Sequence, residues 1–243
     1  MVRAHFNTCG RMMDQSTQKG RTIAIGDIHG CDVALGTILY HLELTREDTF
    51  ICLGDAVDRG HGTKHVIEIL LDLKASCKLI MIKGNHEEMM LDGLQGGHWE
   101  SIWLQHGGKE AIDSYGGRYD LIPEEHRIFM ATALDYYETE TDIFVHATAV
   151  PGVPLEDLTK QELRWDRITG QEDPDPSGRR IICGHTAQKS GKPLVYEGWA
   201  CLDTAAYRGN YLTAIDVHTN ELFQAKQSGK YRDGKTLERY LIK

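Results

Sequence analysis

Five short stretches of the chain carry side chains able to bind a cation or move a proton. They are "GDIHG" (26–30), "GDAVDRG" (54–60), "GNHE" (84–87), His146 in "FVHA" and His185 in "CGHT". Together they offer Asp27, His29, Asp55, Asp58, Arg59, Asn85, His86, His146 and His185. Carboxylate and amide oxygens mixed with imidazole nitrogens suit borderline divalent ions such as Mn²⁺, Fe²⁺ or Zn²⁺. Two ions sharing a bridging carboxylate would use about this many ligands. Paired ions of that kind sit roughly 3.5–4 Å apart and clamp the attacking and leaving oxygens of a displacement. Each stretch alone is a weak signal. Asp-x-His is common in turns, "GNHE" also reads as a helix start with Asn85 as N-cap, and "DRG" as a surface turn. Five of them in series are hard to obtain from packing needs alone.

What must position these residues is a set of strands. Each stretch follows a short apolar run, and the first three lead into helix-like segments. "RTIAIGDIHG" precedes a segment with Val33, Leu35, Ile38, Leu39 and Leu42 near helical spacing; "TFICLGDAVDRG" precedes one with Val66, Ile67, Leu70, Leu71 and Leu73. "CKLIMIKGNH" leads into "EEMMLDGL". This rhythm predicts an α/β fold with parallel central strands, whose carboxyl ends are where ligands bind. Strand character returns at 141–147, 179–185 and 199–204, and 210–226 reads as an antiparallel hairpin turning near "HTN". The expected architecture is two mixed sheets packed as a sandwich and flanked by helices. Residues 93–141, broken by glycine pairs and Pro123, read as a mostly helical insertion. Trp99 and Trp103, one helical turn apart, are expected to pack that insertion onto the body.

The ordered set resembles the phosphoprotein phosphatase branch of the calcineurin-like metallophosphoesterases, especially its short bacterial and phage members. "GDIHG", "GDAVDRG" and "GNHE" carry the resemblance, which covers roughly residues 21–217; "GGKEAIDSYGG" and "LIPEEHRIFM" look like the helical insertion of bacterial members. The resemblance implies that Asp27 and His29 bind a first metal, that Asp55 bridges, and that Asn85, His146 and His185 complete a second site. It implies His86 as general acid oriented by Asp58, with Arg59 and Arg167 (of "LRWDR") holding phosphate oxygens beside Asn85. The sequence departs from the family at Thr148 and Ala205, where glycine is usual.

The chemistry so implied is hydrolysis of phosphomonoesters, with phosphoserine or phosphothreonine in proteins as the leading substrate class. Two divalent ions, Mn²⁺ first among them, would offset the phosphate charge and hold a hydroxide in line for attack. A dinucleoside tetraphosphate or polyphosphate hydrolase is the alternative. A metal-stabilised binding module without activity would be expected to have lost a ligand or the acid, and none is missing. "KSGKP" (189–193) lacks the spacing of a phosphate loop. His5, His41, His61, His65, His98, His106, His126 and His218 are read as structural or surface residues, and Tyr207 as either a pocket border or a packing residue.

The chain has 243 residues and a net charge of −9, which argues against a protein that coats nucleic acid. Its 41% hydrophobic content allows a sizeable core. No apolar run approaches the ~18 residues of a membrane span. The six cysteines form no CxxC pair and read as reduced core residues of a cytoplasmic protein. Residues 1–20 read as a flexible extension, with Met12 or Met13 as alternative starts, and residues 21–243 as one metallophosphoesterase domain. The sequence fixes no oligomeric state.

Overall fold

The computed structural model describes residues 20–242, so the expectations for His5, Cys9 and nearly all of the N-terminal extension lie outside the described residues. Three βα units come first: β1 (Thr22–Ile25), α1 (Asp32–Leu42), β2 (Thr49–Cys52), α2 (Thr63–Leu73), β3 (Lys78–Met81) and α3 (Asn85–Gly93). Then follow α4 (His98–Trp103), α5 (Lys109–Ser114) and α6 (Glu124–Ala131). The remainder is β4 (Tyr136–Glu138), β5 (Asp142–Val145), α7 (Lys160–Arg164), β6 (Arg180–Cys183), β7 (Leu194–Tyr196), β8 (Trp199–Cys201), β9 (Leu212–Asp216), β10 (Glu221–Ala225) and β11 (Tyr231–Thr236).

Two mixed sheets result, ordered β11-β10-β9-β1-β2-β3 and β4-β5-β6-β8-β7. β1, β2 and β3 run parallel, and so do β5, β6 and β8; the other pairings are antiparallel. Alternation along each strand assigns its faces. Ala24, Ile51 and Leu53 point between the sheets to meet Phe144, Ile182, Ala200 and Leu202. Their neighbours Ile23, Ile25, Phe50 and Cys52 point outward to Leu35, Ile38, Val66, Ile67 and Leu70 on the helices. Ile143, Val145, Ile181 and Trp199 pack outward under Leu155, Leu163 and Ile168. Burial on both faces explains why these strands read as near-continuous apolar runs.

The structure departs from the sequence expectations at Val33, at the end of the helical insertion and at Trp99. Val33 faces solvent on α1. The helical insertion ends at Ala131, and Tyr136–Glu138 is strand β4, with Tyr136 and Tyr137 paired to Val145 and Phe144. Trp103 is fully buried, whereas Trp99 is 55% exposed and packs nothing onto the body.

Asp48 ties the starts of β1 and β2 together. Its carboxylate is buried and accepts hydrogen bonds from the Arg21 backbone (2.7 Å), the Arg21 guanidinium (2.8 Å) and the Thr45 backbone (2.8 Å). Burial would raise its pKa, but these donors outweigh it and hold the group at about 2. A depressed native pKa stabilises the fold above the unfolded value and is lost as pH falls through the native one, a contribution of about 2 kcal/mol. Asp48→Asn should therefore cost about that much at pH 7, with the gap to wild type closing between about pH 4 and pH 2. Urea melts of both proteins across that range measure it.

Candidate active site

The polar stretches all leave the carboxyl ends of strands and are stitched to one another through backbone. Ile28 and His29 donate their amides to the Asp55 carbonyl (3.1 and 2.8 Å), Gly30 donates to Ala56 (3.0 Å), and Arg59 to Gly107 of the insertion (3.1 Å). Gly107 breaks the helix at a kink between α4 and α5 with φ +109°, and a Cβ there would come within 2.5 Å of the Arg59 nitrogen. Gly84 is equally constrained, since a Cβ would sit 2.2 Å from Asp55 Oδ1. His29, Asp55, Asp58, Arg59, His185 and Ala205 all hold left-handed backbone angles; only Glu43 and Asn220 do so elsewhere among the described non-glycine residues. Each such residue costs on the order of 1 kcal/mol, and a cluster of them marks a site whose geometry is imposed by its surroundings.

Three imidazoles have their ring protons committed. His29 Nδ1 donates to the Val57 carbonyl (2.9 Å), His146 Nδ1 to Leu53 (2.8 Å) and His185 Nε2 to Trp165 (2.9 Å). A carbonyl only accepts, so the opposite nitrogen of each ring presents a lone pair. Those lone pairs face other acceptors. Asp55 Oδ2 lies 3.5 Å from His29 Nε2, and Asp55 Oδ1 lies 3.4 Å from His146 Nε2. Asn85 Oδ1 lies 3.1 Å from His146 Nε2 and 3.0 Å from His185 Nδ1. Asp27 Oδ2 is 3.9 Å from His29 Nε2, while its carboxylate accepts from the His185 amide (3.0 Å). Burial pushes the pKa of all three rings down, that of His185 to about 4, so they are neutral at pH 7. Asp55 runs the other way: burial opposes its charge, but the positive charge that the surrounding imidazoles acquire in acid holds it far below the usual carboxylate range. Lone pair against lone pair is repulsive without a cation between them. The donor set therefore fits divalent ions in two groups that share Asp55, His29–Asp55 with His86 alongside and Asp55–His146–His185; His86, held by Asp58, is left out of the ligands. At the first of these a cationic group already docks: the Arg59 guanidinium lies 2.6 Å from His29 Nε2.

His86 differs from its neighbours. Its Nδ1 is 2.7 Å from Asp58 Oδ2, and its backbone amide donates to Asp55 Oδ1 (3.0 Å). Burial works against its charge, but Asp55 and Asp58 outweigh it, so its pKa is raised while those of His29, His146 and His185 fall. Asp58 is fixed from the far side by the indole of Trp103, whose Nε1 donates to Oδ1 (2.8 Å). Trp103→Phe removes that donor and leaves a buried carboxylate oxygen unpartnered, at a cost of about 1–2 kcal/mol. We expect kcat on a phosphoester to fall about tenfold with KM unchanged, which steady-state kinetics would read.

Sequence reading missed two buried carboxylates. Glu87 accepts the amides of Gly84 (2.8 Å), Asp55 (2.9 Å) and Ala56 (2.8 Å), and burial next to Asp55 pushes its pKa to about 7. Gly84, not Asn85, is the N-cap of α3, and the Glu87 carboxylate three residues on accepts its amide; this frees the Asn85 amide to face the histidines. The spacing of Glu87, third after Gly84, was the available signal. Asp203, at the end of β8, has its pKa pushed to about 6 by burial and helps drive that of Asp27 upward. Ala205, two residues on, holds φ +54°, the conformation its usual glycine would take freely, and Thr148 lies outside the left-handed region.

Arg59 lies 4.8 Å over the Tyr207 ring, which meets His29 edge-on at 5.2 Å, so Tyr207 borders the site. Beside them opens a groove of about 450 Å³ lined by Arg59, His106, Lys109, Tyr207 and Arg208. Arg167 is exposed on the loop after α7, close enough to His185 to help lower its pKa.

Residues 20–217 match the model of the calcineurin-like phosphoesterases. The chain belongs to that family. Calcineurin-like phosphoesterases are hydrolases dependent on a binuclear metal centre, which accords with the His and Asp clusters described above. A serine/threonine-protein phosphatase 1 of Salmonella typhimurium is 31% identical over 85 residues, 35% of this chain and 37% of that protein. A symmetrical bis(5'-nucleosyl)-tetraphosphatase of Salmonella arizonae is 39% identical over 71 residues, 29% of this chain and 24% of that protein. The matched stretches thus span well under half of these curated relatives. Among solved structures, a candidate diadenosine tetraphosphatase superposes with a TM-score of 0.65 at 18% identity, covering 86% of this chain and 94% of that one. That likeness establishes the shared phosphoesterase fold.

Proposed function

We propose that the protein is a binuclear-metal phosphatase acting on phosphomonoesters, with phosphoserine and phosphothreonine in proteins as its substrate class. The observation that carries this reading is Asp55, whose Oδ2 faces the proton-free nitrogen of His29 while its Oδ1 faces that of His146. Asp27, His29 and Asp55 would hold one ion; Asp55, Asn85, His146 and His185 the other, with Mn²⁺ the expected metal. Such ions supply charge to offset the phosphate oxygens and a nucleophile at neutral pH. His86, held by Asp58, donates a proton to the departing alkoxide oxygen. The Arg59 and Arg167 guanidinium forks match the geometry of the remaining phosphate oxygens. The groove beside Arg59 is open enough for a phosphorylated side chain still attached to a protein. No helix among the described residues is long and apolar enough to cross a membrane, and five described cysteines are buried and unpaired. The unpaired cysteines support a cytoplasmic setting.

One observation favours a second reading, hydrolysis of dinucleoside tetraphosphates: the 39% identical stretch shared with a nucleosyl tetraphosphatase. Metal-reconstituted protein assayed side by side on a phosphothreonine peptide and diadenosine tetraphosphate separates the two. We expect the peptide to be turned over with the higher kcat/KM. Preference for the dinucleotide would transfer the assignment to the second reading, and no hydrolysis of either with two ions bound would overturn both.

A further inference from the structure

β11 carries a bulge. Arg232 pairs with Gln224 and Lys235 with Leu222, so Asp233 and Gly234 together stand opposite Phe223. In a regular strand, residues three apart point to opposite faces; the extra residue turns Arg232 and Lys235 to the same one. Leu222 belongs to the cluster between the sheets, so this is the inner face, at the open edge of the sandwich. There Arg232 and Lys235 meet Lys192 of the "KSGKP" turn, Lys226 and Arg239 around a cavity of about 390 Å³. None of these five cations forms an ion pair with a carboxylate among the described residues. Their mutual repulsion, that of Arg232 foremost, lowers the Lys235 pKa.

Arg232 is held in place. Its Nε donates to Gln224 Oε1 (2.8 Å), Gln224 donates in turn to Thr213 Oγ1 (2.7 Å), and the guanidinium stacks 3.7 Å over the Tyr211 ring. Its terminal nitrogens have no described protein acceptor and remain for a ligand. Placing five unpaired cations around one cavity, in a chain of net charge −9, costs self-repulsion that a bound anion offsets.

We propose that this pocket binds a compact polyphosphate anion at a site separate from the metal centre. The size is that of a small-ligand pocket, and the charges surround one cavity instead of forming the long basic track that nucleic acid requires. No ligand of the proposed metal centre lines it. The loops bearing His185 and Tyr207 run on to Ser190 and Asn210 at its rim.

The test is lysine acetylation of the metal-loaded full chain, read by mass spectrometry with and without inorganic tripolyphosphate. Lys192, Lys226 and Lys235 should be protected roughly fivefold or more, and exposed Lys160 unaffected, with sulfate at equal ionic strength giving no protection. Lys192→Glu, in a surface turn, and Arg232→Gln should each weaken calorimetric binding about tenfold or more, as expected for loss of a charge-assisted contact. Both should retain wild-type turnover of p-nitrophenyl phosphate, which also reports that they fold. An ATP arm identifies the source: tighter binding than tripolyphosphate means a nucleoside polyphosphate, equal binding the phosphate chain alone. Uniform acetylation, protection by sulfate, unaltered affinity in both variants, or stronger protection by an oligonucleotide or acidic peptide would each overturn the proposal.

Discussion

Asp55→Asn should reduce kcat/KM on any phosphoester by about 10³-fold or more, equivalent to at least ~4 kcal/mol of lost transition-state stabilisation. The substitution preserves size but converts one of two acceptor oxygens into an amide donor. One oxygen now faces the lone pair of His29 Nε2 and the other that of His146 Nε2. Whichever histidine meets the new amide accepts a hydrogen bond from it. The lone pair that a cation would use is then occupied, and the bridging carboxylate's negative charge is gone. Metal analysis of the purified variant should show fewer than two ions bound per chain. Two tightly bound ions with turnover within tenfold of wild type would contradict the bridging role.

His86→Asn should lower turnover of a phosphothreonine peptide by about 10²–10⁴-fold, the range attributed to a positioned acid. Metal content should be unchanged, because the proton-free nitrogens of His29, His146 and His185 are supported by carbonyls that the substitution does not touch. The discriminating measurement is leaving-group dependence. A p-nitrophenolate departs without a proton, whereas the alkoxide of threonine does not. The loss should therefore be much smaller on p-nitrophenyl phosphate than on the peptide. An equal loss on both would move His86 from proton donation to substrate or metal positioning. Asp58→Asn should show the same selectivity more weakly, since it withdraws the 2.7 Å partner of Nδ1 but leaves the ring.

The candidate site was legible because its residues terminate the chain's clearest pattern. "TIAI", "TFIC" and "DIFV" are buried on both faces, and a polar residue straight after such a run has only the strand's carboxyl end to occupy. What escaped depends on partners distant in sequence. Glu87 matters because the amides of Asp55 and Ala56 reach it from another loop, and no local spacing announces that. Trp103 reads correctly as core, yet its indole nitrogen serves Asp58, a pairing 45 residues apart. β11 was invisible because "YRDGKT" has neither apolar alternation nor β-branched residues before its last position; it is held by pairing to β10 and bent by its bulge. β4 and β7, three residues each, are too short to display a period.

The left-handed backbone at His29, Asp55, Asp58, Arg59 and His185 has a consequence for protein engineering. Glycine adopts those angles without steric penalty, so each position retains about 1 kcal/mol of backbone strain for the sake of its side chain. A laboratory selection that rewards melting temperature alone places no value on those side chains and is free to replace them with inert ones. Any thermostabilising campaign should hold these five codons fixed and seek its gains in the helices.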